Sequence, residues 1–345
     1  MANLIRFENT DIVNDVQKVV TSTWSDNTNN LQVAFTSSTQ AVFTTPTSSG
    51  AHYIEVYHLA NLSSSQYAIA YGHKDGSGSL DFTNDAGSIG FSPTKNIYSQ
   101  YRQLVFGDES SNFNFNGHTP NDIYVINIER SRFKHNLKPG TLDLRISGSS
   151  GGTTTLKLTD DSVTTTGSST VTNAGRQFNI VSGSLGTMSG SLLTQVNASG
   201  SYGLFYPDAG FMILNPDAVG QTVPGLVPGT SANTADNNHV KLLNHISGGA
   251  DGTNGHFIID SEEKISSQYY FARARNNQYN YTTNPSFVDN NGNVIVDTFI
   301  DNPTTFITTV GLYNNNGDLV AVAKLSQPVA KDFTKETLIR VKLDY

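Results

Sequence analysis

Thr308-Thr309-Val310-Gly311-Leu312-Tyr313 runs into Asn314-Asn315-Asn316-Gly317 and then into Asp318-Leu319-Val320-Ala321-Val322-Ala323-Lys324-Leu325. An apolar run, a turn of Asn and Gly, and a second apolar run make a β-hairpin, because Asn and Gly accept positive φ cheaply and let the chain reverse between paired strands. The chain then ends in Thr337-Leu338-Ile339-Arg340-Val341-Lys342-Leu343-Asp344-Tyr345. Odd positions from Ile339 to Tyr345 are apolar and even positions from Arg340 to Asp344 are charged, which is the period-two signature of a strand with one buried face. A terminal residue that still belongs to the pattern predicts a chain end tucked into a sheet or a neighbour.

Working back from this block, the same chemistry recurs. His52 to Tyr57, Gln66 to Tyr71 and Ile123 to Ile128 read as strands, the last apolar enough to be a buried strand. Pro139-Gly140 makes a turn, and Leu142, Leu144 and Ile146 alternate with Asp143 and Arg145 as the return strand. One helix is clear. Ser92 is a good N-cap, Pro93 suits the first helical position, and Ile97, Tyr98, Tyr101, Leu104 and Val105 form one apolar stripe before Gly107. Residues 1–50 are ambiguous: Ile12, Val13, Val16, Val19 and Val20 fit a helical stripe capped by Asn9 or Thr10, whereas Val19 to Trp24 has strand chemistry and favours a strand for the second half. Leu31 to Phe43 alternates loosely up to the turn at Thr45-Pro46.

After Ile146 the chain turns to Gly, Ser and Thr, which predicts a boundary or an exposed loop. Tyr202 to Leu214 regains bulk and reads as core or interface, and Val223 to Asn238 reads as a long loop. The expected fold is therefore mainly β: several antiparallel β-sandwich or barrel modules with one or few short helices. The expected division is a β-rich domain over 1–146, an inserted or outward module over 147–255, and a C-terminal β domain over 256–345.

Composition narrows the function. The 345 residues contain no cysteine, so disulfides and thiolate metal sites are excluded and folding in a reducing cytoplasm is expected. The formal charge of −8 is spread along the chain and offers no basic stripe for nucleic acid. No run of apolar residues is long enough to span a bilayer and no basic-apolar leader opens the sequence, so neither membrane insertion nor export by a signal route is expected. With only 14% charged residues amid abundant Ser, Thr, Asn and Gly, the composition suits a β-rich soluble protein or a particle subunit whose faces meet neutral polar neighbours.

The motifs that carry chemistry elsewhere are weak here. Gly148-Ser149-Ser150-Gly151-Gly152 has the G-x-S-x-G spacing of a nucleophile elbow, but Thr153-Thr154-Thr155 is a poor helix start. His52 and His58 share a strand face without a third ligand, and His239 and His245 lie near Asp236 in a loop-rich stretch. Lys74-Asp75-Gly76-Ser77-Gly78-Ser79 lacks the phosphate-loop spacing and reads as a flexible surface loop. Asp251-Gly252-Thr253-Asn254-Gly255 lacks calcium-loop spacing and reads as a turn. No pair of carboxylates stands out for glycan hydrolysis. No catalytic residue, cofactor or metal ligand is expected.

Two clusters fit contact surfaces. Arg130, Arg132 and Lys134, with His135 and Lys138, are the one basic group and suit an acidic partner subunit or a solvated turn. Tyr269, Tyr270, Phe271, Arg273, Arg275, Tyr279 and Tyr281 combine the residue types enriched at interface hot spots, which also stack on sugars and also fill cores. Leu343 and Tyr345 complete the candidate interface through the last strand.

The run Val310-Gly311-Leu312-Tyr313 with Asn316-Gly317-Asp318-Leu319-Val320-Ala321-Val322-Ala323 resembles a motif of tail-fibre and baseplate proteins of tailed bacteriophages. With Tyr269 to Tyr281, Asn284-Pro285-Ser286-Phe287 and Phe333-Thr334-Lys335-Glu336, residues 262–345 are similar to a family of structural proteins from T4-like marine phages, cyanophages among them. The resemblance is weaker over 66–146 and absent over 147–240. It implies a non-enzymatic virion structural protein, a tail or baseplate subunit. Such a protein is made in the cytoplasm of the infected bacterium and partners copies of itself and other tail proteins. The alternative is a tail-fibre or receptor-binding module that recognises a host surface glycan through 147–240, whose loop-rich texture suits recognition.

Overall fold

A computed structural model of the protein describes residues 4–24, 53–58, 61–79, 92–147, 155–164, 169–189, 200–231, 236–247, 256–281 and 285–345. The strands in chain order are β1 (Ile12–Ser22), β2 (Tyr53–His58), β3 (Asn61–His73), β4 (Asp122–Ile128), β5 (Asn136–Leu137), β6 (Asp143–Ser147), β7 (Thr155–Asp160), β8 (Thr170–Thr172) and β9 (Gly175–Ser184). They continue with β10 (Thr187–Met188), β11 (Gly203–Tyr206), β12 (Phe211–Leu214), β13 (His256–Ile258), β14 (Asp260–Ala274), β15 (Thr305–Tyr313), β16 (Leu319–Lys331) and β17 (Thr337–Asp344). The helices are α1 (Pro93–Phe106), α2 (Pro216–Thr222), α3 (Asn238–Ser247) and α4 (Asp297–Asp301). The protein is mainly β, with antiparallel sheets and short helices, as the turn-and-alternation pattern predicts.

The chain forms two compact units: Val19–Glu263, and Met1–Lys18 with Lys264–Tyr345. This replaces the three expected domains. Ser147 pairs with Thr155 and Leu144 with Leu158, so the Gly/Ser/Thr-rich stretch separates neighbouring strands of one sheet, not two domains. The 147–255 stretch is not an inserted module, because β7, β9, β11 and β12 are interior strands. Nor does the C-terminal block start at 256, since β13 pairs with β6 in the larger unit.

The larger unit is built on an eleven-stranded antiparallel sheet in the order β13-β6-β7-β9-β11-β12-β4-β3-β2, with β8 and β10 hanging on β9. Both faces are covered, which is why β4 reads as a continuous apolar run instead of alternating. On one face Ile123 and Val125 pack with Tyr98, Tyr101 and Val105 of α1 and with Phe113 and Phe115. On the other, Tyr124 and Ile126 pack with Val219, Leu226, Leu242 and Ile246 beneath α2 and α3. The sheet curls like a barrel. Phe257 on β13 and Tyr67 on β3, near opposite ends of the strand order, bring their rings within 5.3 Å, and Trp24 donates its indole N–H to the Phe257 carbonyl at 3.0 Å. Tyr202 to Leu214 is core and not interface: Leu204 to Tyr206 and Phe211 to Leu214 are buried, and Tyr206 and Phe211 stack at 4.7 Å.

α1 starts and stops where its caps dictate. Ser92 Oγ accepts from Lys95 N at 3.3 Å, and Gly107 closes the helix at φ 75°. Leu104 leaves the expected stripe and is exposed, while the stem of Arg102 is buried in its stead. Gly72 lets α1 approach β3, since a Cβ there would stand 2.8 Å from the Tyr98 amide nitrogen. The Lys74–Ser79 loop is not a surface loop. Gly76, Gly78 and Ser79 are buried, Ser92 Oγ donates to Gly76 O, and Gly78 N–H donates to Ser231 O, so the loop clamps the start of α1.

In the smaller unit β14 lies between β1 and β17. The helical option for Ile12 to Val20 fails, because this segment is an extended strand beside β14 and nonlocal pairing outweighs the local stripe. β15 and β16 form the expected hairpin. Asn314 Oδ1 accepts from the amides of Asn316 and Asp318, and Gly317 takes φ 86°. The hairpin packs Val310, Leu312, Ala321 and Ala323 against Ile339, Val341 and Leu343 of β17 and Tyr270 of β14, with Phe7. Tyr345 departs from the alternation. Its backbone pairs both ways with Ser266, but its side chain is 73% exposed.

Candidate functional site

The aromatic and arginine cluster is split by the pleat of β14. Tyr269, Phe271 and Arg273 stand opposite Lys342, Arg340 and Leu338 on β17, and cross-strand partners share a face. The Arg340 guanidinium lies 5.2 Å and the Lys342 ammonium 6.0 Å from the Tyr269 ring centre. Lys342 is tied to Asp344 at 3.0 Å, which raises its pKa, and Ser267 Oγ donates to the same carboxylate at 2.7 Å. This outward face is a strip of rings interleaved with cations, ending at the exposed Leu338. Tyr270 points the other way. It faces Val341, its ring sits 5.5 Å from Phe7, and it belongs to the core.

Arg275, Tyr279 and Tyr281 follow the end of β14 and are exposed. Tyr279 adopts φ 54°, and its carbonyl accepts from Thr305 Oγ1 at 2.6 Å. Tyr281 donates its phenol O–H to Gly292 O at 3.1 Å. The loop is held by a residue that sequence reasoning missed. Lys331 is fully buried, and its ammonium donates to Asn276 O at 3.0 Å, Asn280 Oδ1 at 2.8 Å and Asp332 O at 2.8 Å. Three acceptors around one ammonium satisfy all its protons. Nothing in the sequence marks Lys331, because lysine at a strand end is ordinarily solvated.

The second surface missed by sequence reasoning is the outer side of the hairpin. Phe306, Tyr313, Leu319, Val320 and Val322 are exposed, Val320 at 68%. A signal was present: Leu319 to Ala323 is apolar at odd and even positions alike, and a strand with one solvated face alternates. β15 and β16 form a two-stranded sheet, so among the described residues each has an outer edge with no ladder partner. Such edges offer backbone N–H and C=O groups to another chain.

The basic group belongs to the larger unit. Arg130 lies 4.6 Å over the Phe133 ring and donates to the carbonyls of Phe133 and Lys134. Arg132 donates to Ser131 Oγ at 3.3 Å, and Lys134 pairs with Glu263 at 2.6 Å. Arg130 is thus committed to its own turn and Lys134 to an internal ion pair, and Asp260 lies near enough to Lys138 to interact with it. The basic group and the β14 cluster thus belong to different units.

Among the described residues no three His, Asp or Glu side chains are placed to hold a metal ion, and no helix is long and apolar enough to cross a membrane. His239 and His245 lie on α3, buried, not in a loop, and Lys241 O sits 2.7 Å from His245 Nδ1. The G-x-S-x-G stretch, Leu31 to Phe43, His52 and Asp251 to Gly255 lie outside the described residues. No protein-family model, no curated protein and no solved structure matches the chain.

Proposed function

We propose that this chain is a non-enzymatic virion structural protein of a tailed bacteriophage, a tail or baseplate subunit that works through subunit contacts of its smaller unit. One observation carries the reading. Twenty-two large apolar side chains are exposed among the described residues, and sixteen of them belong to the smaller unit, which has less than a third of the chain. Exposed apolar surface concentrated in one unit marks an interaction site, and the two hairpin edges, without a ladder partner among the described residues, add a second mode of attachment. The similarity to phage structural proteins over 262–345 spans nearly the same residues as the C-terminal part of this unit, Lys264–Tyr345. The partners are copies of this chain and other tail proteins, with many modest contacts summed over a ring or fibre. The location is the tail of the particle, after synthesis in the infected cell's cytoplasm.

The interior strands that 147–240 supplies to the larger sheet favour this reading over a receptor-binding module in that stretch. Purified particles from an infection test the main reading by quantitative mass spectrometry. The expected result is this chain in fixed, symmetric stoichiometry with known tail proteins. Its absence from particles would overturn the proposal.

A further inference from the structure

The smaller unit segregates its charge. From Asn276 to Ala323 every charged residue is an aspartate: Asp289, Asp297, Asp301 and Asp318. The outward strip of β14 and β17, from Tyr269 to Arg273 and from Leu338 to Lys342, carries only cations, interleaved with rings and Leu338. A solvated surface ordinarily intersperses both signs. These charges are not spent inside the chain. Arg273, Arg340, Asp297 and Asp301 are exposed, and among the described residues none of them forms an ion pair. A cationic surface and an anionic one, each unpaired on the same unit, are complementary between two copies.

The anionic side is built on α4. Phe299 is buried there, and its ring meets that of Phe287 at 5.5 Å. Val288 bridges to Val294, and Ile295 N–H donates to Phe287 O at 2.9 Å, so a short closed loop supports the helix through that ring pair. At about 100° per residue, Asp297, Ile300 and Asp301 fall on the side away from Phe299, and all three are exposed. The result is an apolar side chain flanked by two carboxylates. The strip has the opposite make-up, with rings flanked by guanidinium groups.

The spacings match. Asp297 and Asp301 lie one turn apart, about 6 Å along the helix axis. Arg340 stands opposite Phe271, and Arg273 is two residues further along β14, so the two arginines are diagonal neighbours about 7–8 Å apart. A guanidinium binds a carboxylate through two parallel N–H donors, and Phe271, beside both arginines, offers a ring to Ile300. A polyanion would also suit the strip, but the chain's net charge of −8 opposes its approach, and it would leave the aspartates without partners. We propose that the cationic strip of one copy docks the acidic face of α4 on the next, with Arg273 and Arg340 on Asp297 and Asp301 and Phe271 on Ile300. The two surfaces differ, so the contact is head-to-tail and repeats into a ring or a filament. This pairing rests on the reading that the smaller unit works through subunit contacts, and it names the surfaces that meet.

The test is sedimentation velocity on the purified full chain and on two charge-swapped variants, Arg273→Glu with Arg340→Glu, and Asp297→Arg with Asp301→Arg, each checked for folding by circular dichroism. The parent should associate reversibly with concentration, and less so as salt rises from about 0.05 to 0.5 M. Each variant alone should associate at least about tenfold more weakly. An equal mixture of the two variants should regain the parent's association, because every strip then finds an α4 face of opposite sign. A parent that stays monomeric at about 100 µM, variants that associate as the parent does, or a mixture that fails to recover would each overturn the pairing. So would a parent that binds single-stranded DNA or an acidic glycan through Arg273 and Arg340 while staying monomeric, which would assign the strip to a polyanion. A monomeric chain that is present in particles would overturn this pairing alone. A chain that self-associates but is absent from particles would overturn the tail assignment alone.

Discussion

Single residues set the balance inside each unit. Asp122 begins β4, and Tyr71 donates its phenol to Asp122 Oδ2 at 3.1 Å. Burial pushes the Asp122 carboxyl up to about 6, against the Tyr71 bond that lowers it. A carboxyl raised above its unfolded value favours folding while protonated. That contribution is complete below about pH 4 and fades as pH rises through about 6. Asp122→Asn keeps an acceptor for Tyr71 and never ionises. It should raise stability by about 2–3 kcal/mol at pH 7.5 and leave it unchanged near pH 4, read from denaturant midpoints at the two pH values. Lys331 is the counterpart in the smaller unit. Lys331→Met fills the same space but leaves the carbonyls of Asn276 and Asp332 and the Asn280 amide oxygen without their donor, at an expected cost of about 3 kcal/mol. Hydrogen exchange should then lose protection over 275–281 while the larger unit keeps its own.

At the scale of elements, stability and attachment separate. The inner side of the β15–β16 hairpin holds Val310, Leu312, Ala321 and Ala323 in the core, whereas Val320 and Val322 face out. The double change Val320→Lys and Val322→Lys should therefore leave thermal unfolding within about 0.5 kcal/mol of the parent and abolish incorporation into particles. Removing Leu343-Asp344-Tyr345 should do more. It takes Leu343 from the core, the Ser267–Asp344 bond and the Ser266–Tyr345 backbone pair, so both unfolding temperature and assembly should drop. What was legible in the sequence follows the reach of the signal. The hairpin and α1 were readable because Asn314, Gly317, Ser92, Pro93 and Gly107 act on residues within one turn of themselves. β1 was ambiguous because only its neighbour β14, some 250 residues away in the chain, decides against the helix. α2 and α3 were missed although Asn215 caps one and His239, Leu242, Leu243 and Ile246 stripe the other, because Pro, Gly and Asn around them read as loop. The pleat of β14 likewise divides Tyr269 from Tyr270, a division that an aromatic cluster read as a block does not reveal.

The whole molecule joins a unit closed on itself to one that presents apolar surface. The larger unit covers both faces of its sheet with helices and brings the ends of its strand order together through Tyr67 and Phe257. Among the described residues the smaller unit leaves hairpin edges without a ladder partner and a set of large apolar side chains exposed. No property of composition foretold this division, because the sheet order is set by pairings such as Leu144 with Leu158 and Phe211 with Asn127, far apart in the chain or across stretches that read as loop. The central claim is that the exposed apolar side of the smaller unit is covered by other subunits. A cryo-EM reconstruction of the intact particle tests it most directly. The account predicts symmetric copies of this chain in the tail, with Phe306, Val320 and Val322 buried against a neighbouring subunit. Copies whose hairpins stand free in solvent, or a complete tail without this chain, would contradict it.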